Sequence, residues 1–167
     1  MSAKVLILGS QSDFMDNIAE RVASDGLEVA RSDDPGEALS VAREWGADVV
    51  VLNLRDLLAD GVVFLRGLKK KRVLAEVITL SVPDCMSYSI QGMKAGAFAD
   101  LTMPFDPDEL IGRIREAAER KAKKARSIRQ RLEDLAVGIT YAEAGDMDRA
   151  ARYSMKRDTT EETGEEE

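Results

Sequence analysis

Apolar residues fall along the chain in two alternating rhythms. Lys4–Leu8 (KVLIL) is almost continuously aliphatic, the pattern of a strand buried on both faces. Asp13–Ser24 instead spaces Phe14, Ile18, Val22 and Ala23 along one side of a helix. Gly26 ends that helix, and Leu27–Ala30 reads as a short second strand. Pro35–Trp45 predicts a helix with Pro35 in its first turn, where the missing N–H costs nothing. Asp48–Leu52, Glu76–Ser81 and Ala97–Leu101 read as strands, and Gly61–Lys71 and Met86–Ala95 as the helices between them. Pro107 opens a long helix whose first turn carries Asp108 and Glu109, where the macrodipole favours carboxylates. Five strands alternating with five helices predict an α/β fold, a doubly wound parallel sheet covered on both faces. Ligands of such sheets gather beyond the carboxyl ends of the strands. The loops to weigh are therefore Gly9–Ser12, Asn53–Asp60, Ser81–Cys85 and Thr102–Phe105.

Past residue 115 the composition shifts. Arg120, Lys121, Lys123, Lys124, Arg126, Arg129 and Arg131 form a basic run with no acid between them. Ile111, Ile114, Ala118, Ala125, Ile128, Leu132 and Leu135 recur at spacings of three and four, interrupted by Lys121. That is a short heptad seam, and it predicts a last helix running well beyond the domain until Gly138 breaks it. Ile139–Tyr153 reads as a further amphipathic helix or a pair of turns, and Asp158–Glu167 (DTTEETGEEE) as a disordered acidic tail. Three segments follow: a domain over 1–121, a helical extension over 122–155 and the tail over 156–167.

Composition narrows the chemistry. The 167 residues contain no histidine, which removes His-dependent triads, His-ligated zinc and an imidazole base. A single cysteine, Cys85, excludes an internal disulfide and fits a reducing, cytoplasmic setting. With no basic neighbour in its immediate sequence, it reads as an unreactive thiol. The longest aliphatic run, Val49–Leu52, is far too short to span a membrane, and no signal peptide is expected at the N-terminus. A net charge of −7 argues against nucleic acid or anionic lipid as bulk partners.

Residues 4–120 resemble a bacterial response-regulator receiver domain. The resemblance rests on VLIL at strand one, SDDPGEAL at 32–39, ADVVVLNL at 47–54, DGVVFL at 60–65, EVITLS at 76–81, KAGAFADLTMPF at 94–105 and DELIGRI at 108–114. It implies the flavodoxin-like (βα)5 fold and a chemistry of phosphoryl transfer onto an aspartate at the end of strand three. That chemistry needs a carboxylate nucleophile, acids to hold Mg²⁺, and cations or hydroxyls for the phosphoryl oxygens. At the matching positions this chain has Asn53 for the phosphoacceptor, Gly9 and Ser10 for the acidic pair, Met103 for the lysine and Asp100 for the switch aromatic; only Ser81 keeps its hydroxyl. An amide is a poor nucleophile, and without the three carboxylates Mg²⁺ has little to bind. The resemblance therefore implies a pseudo-receiver in two-component signalling that is no enzyme, binds no metal or cofactor and acts through protein contact. It also implies an interaction and dimerising face on Met86, Tyr88, Met93, Asp100, Ile111 and Arg115, while the heptad seam beyond it predicts a homodimer joined through a short parallel or antiparallel helix pair.

Other readings compete. Gly9–Asp13 (GSQSD) resembles the substrate loop of aminoimidazole-ribonucleotide carboxylases, which hold a phosphate at a helix N-terminus but also use a histidine loop this chain lacks. A phosphate- or nucleotide-binding domain built on that loop is one alternative, against Ser12 or Asp13 simply capping the first helix. A nucleic-acid-associated regulator using 120–131 is another. Tyr141, Gly145, Asp146, Ala150 and Tyr153 resemble half of a tetratricopeptide repeat, which predicts a helical appendage rather than a solenoid.

Overall fold

The computed structural model describes residues 2–155, with side chains to Tyr153. Strands β1 (Lys4–Leu8), β2 (Glu28–Ser32), β3 (Val49–Asn53), β4 (Glu76–Ser81) and β5 (Ala99–Thr102) form one parallel sheet in the order β2-β1-β3-β4-β5. The helices are α1 (Asp13–Ser24), α2 (Pro35–Val41), α3 (Leu54–Lys70), α4 (Met86–Lys94), α5 (Pro107–Glu143) and α6 (Met147–Met155). Alternate residues of the strands supply two cores. Leu6, Leu8, Val50, Leu52 and Val77 pack with Ala38, Val62, Leu65 and Leu68 of α2 and α3 on one face. Val5, Ile7, Val51, Ile78 and Leu80 pack with Met15, Ile18 and Val22 of α1 and Leu110 and Ile114 of α5 on the other. Every residue of β3 is buried, which is why its sequence shows no polar alternation.

Three local departures from the periodic pattern have physical causes. The second helix closes early with a π turn over Ala42–Gly46, in which Ala47 N–H donates to Ala42 O at 3.0 Å. The third helix starts at Leu54 rather than Gly61, so the expected Asn53–Asp60 loop is largely a helical turn. Asn53 caps it, its side-chain oxygen accepting from Arg55 N–H at 3.1 Å. Leu58 then breaks the path with φ 47° and ψ −122°, and the helix resumes toward Lys70. Leu54 is fully buried, and a Cβ at Gly61 would come within 2.8 Å of its Cδ2, so the glycine makes room for the turn to fold inward.

By contacts the chain divides into a unit ending at Ala122 and another beginning at Lys123. Within the first, Lys121 donates to Asp48 Oδ1 at 2.6 Å while Asp48 Oδ2 accepts Lys4 N–H at 2.8 Å. The lysine that interrupts the seam is thus a tether to the sheet. Within the second, α5 passes through Gly138 unbroken, because a helical glycine costs only about 1 kcal/mol. Its bare backbone also admits α6: a Cβ there would lie 3.5 Å from Tyr153 Cβ. Gly145, at φ 81°, turns the chain, and Asp146 caps α6 by accepting from Arg149 N–H. Tyr141 and Tyr153 stack with centroids 5.8 Å apart. Ile139–Tyr153 is therefore the end of α5, a turn and α6. The tail over 156–167 lies outside the described residues.

The backbone of Leu58 lies where only glycine is at ease. Leu58→Gly is expected to stabilise the protein by about 1 kcal/mol, seen as a higher urea midpoint at unchanged slope.

Candidate functional site

Beyond the carboxyl ends of β1 and β3, Gly9 and Ser10 come together with Asn53. Asn53 is buried, and its amide nitrogen donates to Asp56 Oδ2 at 2.8 Å and lies 3.4 Å from Met15 Sδ. The same Asp56 oxygen accepts from Ser10 N–H at 3.1 Å and from Ser10 Oγ at 2.6 Å. A Cβ on Gly9 would fall 2.9 Å from both Asn53 Cβ and Met15 Cε. There is no room for a side chain where an acidic pair would begin. Among the described residues no group of three His, Cys, Asp or Glu side chains is placed to hold a metal ion. The sequence pattern does not mark Asp56 as a site residue: an acid three residues after a capping Asn is a helix-start spacing, and only the fold brings Ser10 to it.

Several groups of the Gly9–Asp13 loop are engaged within the chain. Gly9 N–H donates to Ser32 O at 3.2 Å, Ser10 N–H and Oγ donate to Asp56, Gln11 Nε2 donates to Asp33 at 3.1 Å, and Ser12 Oγ caps α1 by accepting from Met15 N–H at 3.3 Å. The Asp56 carboxylate beside Ser10 also opposes an incoming anion.

A second polar cluster bridges β4 and β5. Asp100 accepts from Thr79 Oγ1 at 2.5 Å and from Ser81 Oγ at 2.7 Å, one hydroxyl on each carboxylate oxygen. Ser81 is buried, so the one hydroxyl kept at a receiver position serves Asp100. Met103 packs against the core on the α1 and α5 side, ahead of a cis Met103–Pro104 bond, and its N–H donates to Ser81 O at 2.7 Å. Cys85 is buried and accepts from Val82 N–H, in line with an unreactive thiol.

The structure places the six residues of the expected interaction face in different surroundings. Met86 and Met93 are exposed, and Ile90 between them, exposed as well, completes a stripe along α4 that the i, i+4, i+7 spacing already contained. Tyr88 is half-buried against the α2–α3 core. Asp100 is not a free surface group, because its carboxylate turns toward β4 to take two buried hydroxyls. Ile111 does not belong to the face either: it is 5% exposed, since α5 points it into the core. Arg115 is exposed but engages Asp25 at the end of α1.

Gly9→Asp is expected to lower stability by about 1–3 kcal/mol through overpacking against Asn53 and Met15. Urea denaturation checks it, and a variant as stable as the parent would mean that the pocket has room.

The model of the response regulator receiver domain matches residues 5–115. The transcriptional regulatory protein PrrA of Mycobacterium tuberculosis is 30% identical over 126 residues, 75% of this chain and 54% of that protein. The chain thus spans about half the length of the curated relatives it matches. Among solved structures, a Francisella response regulator 1452 receiver domain is 30% identical with a TM-score of 0.64, covering 71% of this chain and 98% of that one. A response regulator receiver domain protein from Clostridium thermocellum, also 30% identical, superposes with a TM-score of 0.66 over 72% of this chain and 97% of that one. With the family model spanning most of the chain and the sheet order, the core and the relatives in agreement, this chain belongs to the response regulator receiver domain family.

Proposed function

We propose that this receiver works without phosphorylation, as a cytoplasmic signalling module that acts by protein contact rather than as an enzyme. One observation carries the reading: the amide at the phosphoacceptor position is buried and bound to Asp56, in a pocket with no space for an acid at residue 9. A phosphoryl group would need a nucleophilic carboxylate, bound Mg²⁺ and counter-charges for its oxygens. Asn53, Gly9, Ser10 and Met103 supply none of these. The Asp100 carboxylate adds to the reading, since it holds Thr79 and Ser81 in one arrangement with no phosphate to answer to. The exposed stripe of Met86, Ile90 and Met93 is an apolar surface of the first unit suited to a partner, and unbranched methionine adapts readily to one.

A second reading, a role in transcription, is favoured by the likeness to the transcriptional regulatory protein PrrA. Arg120 and Lys121 face Glu76 and Asp48, so contact with nucleic acid would fall to residues 123–131. Duplex DNA binding that weakens steeply with added salt would support it.

The test of the main reading is the Asn53→Asp variant incubated with acetyl phosphate and Mg²⁺. Intact-mass measurement is expected to show no phosphate adduct, and an adduct would overturn the reading. Met86→Glu with Met93→Glu is expected to reduce partner retention at least tenfold in affinity capture, with the circular-dichroism spectrum unchanged.

A further inference from the structure

In the second unit, Ile128, Leu132, Leu135 and Ile139 lie on one side of α5 at spacings of four, three and four, and all four are exposed. α6 does not cover them, because it packs on the flank marked by Gly138 and Tyr141. Four large aliphatic side chains aligned on a solvent-facing helix are the seam of a coiled coil without its second strand. The segment 156–167 cannot fill it, since it contains no aliphatic or aromatic residue.

The charges along the same stretch are segregated. Residues 123–131 carry Lys123, Lys124, Arg126, Arg129 and Arg131 and no acid. Residues 132–143, the rest of α5, carry Glu133, Asp134 and Glu143 and no base. With the seam at the a and d positions, Lys124 falls at g and Arg129 at the following e. A parallel pair would oppose these like charges twice and set basic half against basic half. An antiparallel pair separates them and instead sets Arg129 of each copy, at e, beside Glu143 of the other, also at e. It also seats Ile128 against Ile139 and Leu132 against Leu135 of the second copy. That register centres between residues 133 and 134, beside the boundary where the charge changes sign.

We infer that α5 pairs antiparallel with α5 of a second copy of this chain, through Ile128, Leu132, Leu135 and Ile139. The inference does not depend on the state of the phosphoacceptor pocket. With four large residues a side the association is modest, with a dissociation constant on the order of 10 µM, and it weakens with salt.

Sedimentation velocity of the full chain from about 5 to 200 µM is expected to show a monomer–dimer equilibrium. Leu132→Asn with Leu135→Asn is expected to raise the dissociation constant at least tenfold. Both side chains are more than half exposed, so the helical circular-dichroism signal should be kept. Orientation is read from a spin label at Lys123→Cys in a Cys85→Ala background. In the antiparallel pair the two labels stand at least about 30 Å apart at 1.5 Å per residue, whereas a parallel pair brings them within about 20 Å. A chain that stays monomeric throughout, a dimer indifferent to the double substitution, or a short label distance would overturn the inference.

Discussion

One oxygen, Asp56 Oδ2, organises the end of the sheet where receiver chemistry would take place. Three donors converge on it, two from Ser10 and one from Asn53, so β1 and the start of α3 are joined through a single acceptor. A hydrogen bond to a charged group contributes more than one between neutral groups, about 1.5–3 kcal/mol where water is excluded and less at a partly open site such as this. The arrangement depends on Gly9, because any side chain there would strike Asn53 and Met15. The glycine at residue 9 therefore lets Ser10 and Asn53 close on Asp56.

The second polar cluster follows a similar economy. Thr79 and Ser81 are both buried on β4, and a buried hydroxyl without a partner is costly. Asp100, from the adjacent strand, satisfies both. A carboxylate with both oxygens engaged has little reason to swing outward. The cluster also accounts for an acid at a strand position otherwise suited to an apolar or aromatic side chain.

The long fifth helix has two characters. Up to Ala117 its apolar positions are buried against the sheet, and at Lys121 a salt bridge to Asp48 holds the last turn of the first unit. From Lys123 onward the same spacing of apolar residues continues into solvent, beside charges sorted by sign. Among the described residues that seam lies exposed, the pattern of a helix built to pair with another.

The strands, the order of elements, the long helix and the departures from the receiver pattern at Gly9, Ser10, Asn53 and Met103 were all legible in the amino-acid sequence. They depend on local composition: aliphatic runs, helical spacing, Pro and Gly punctuation, and the side chains at particular positions. The early start of α3 was not legible, because Leu54–Asp60 has the look of a loop until burial of Leu54 beside Gly61 makes a helical turn favourable. Nor was Gly138's place inside a helix, since its weak propensity is offset by α6 packing on it. Asp56 at the pocket, Asp100 turned into the sheet and Ile111 pointed into the core were decided by tertiary structure alone. Which face a side chain shows, and which distant donor it meets, depends on how the elements pack and not on the residues beside it in the chain.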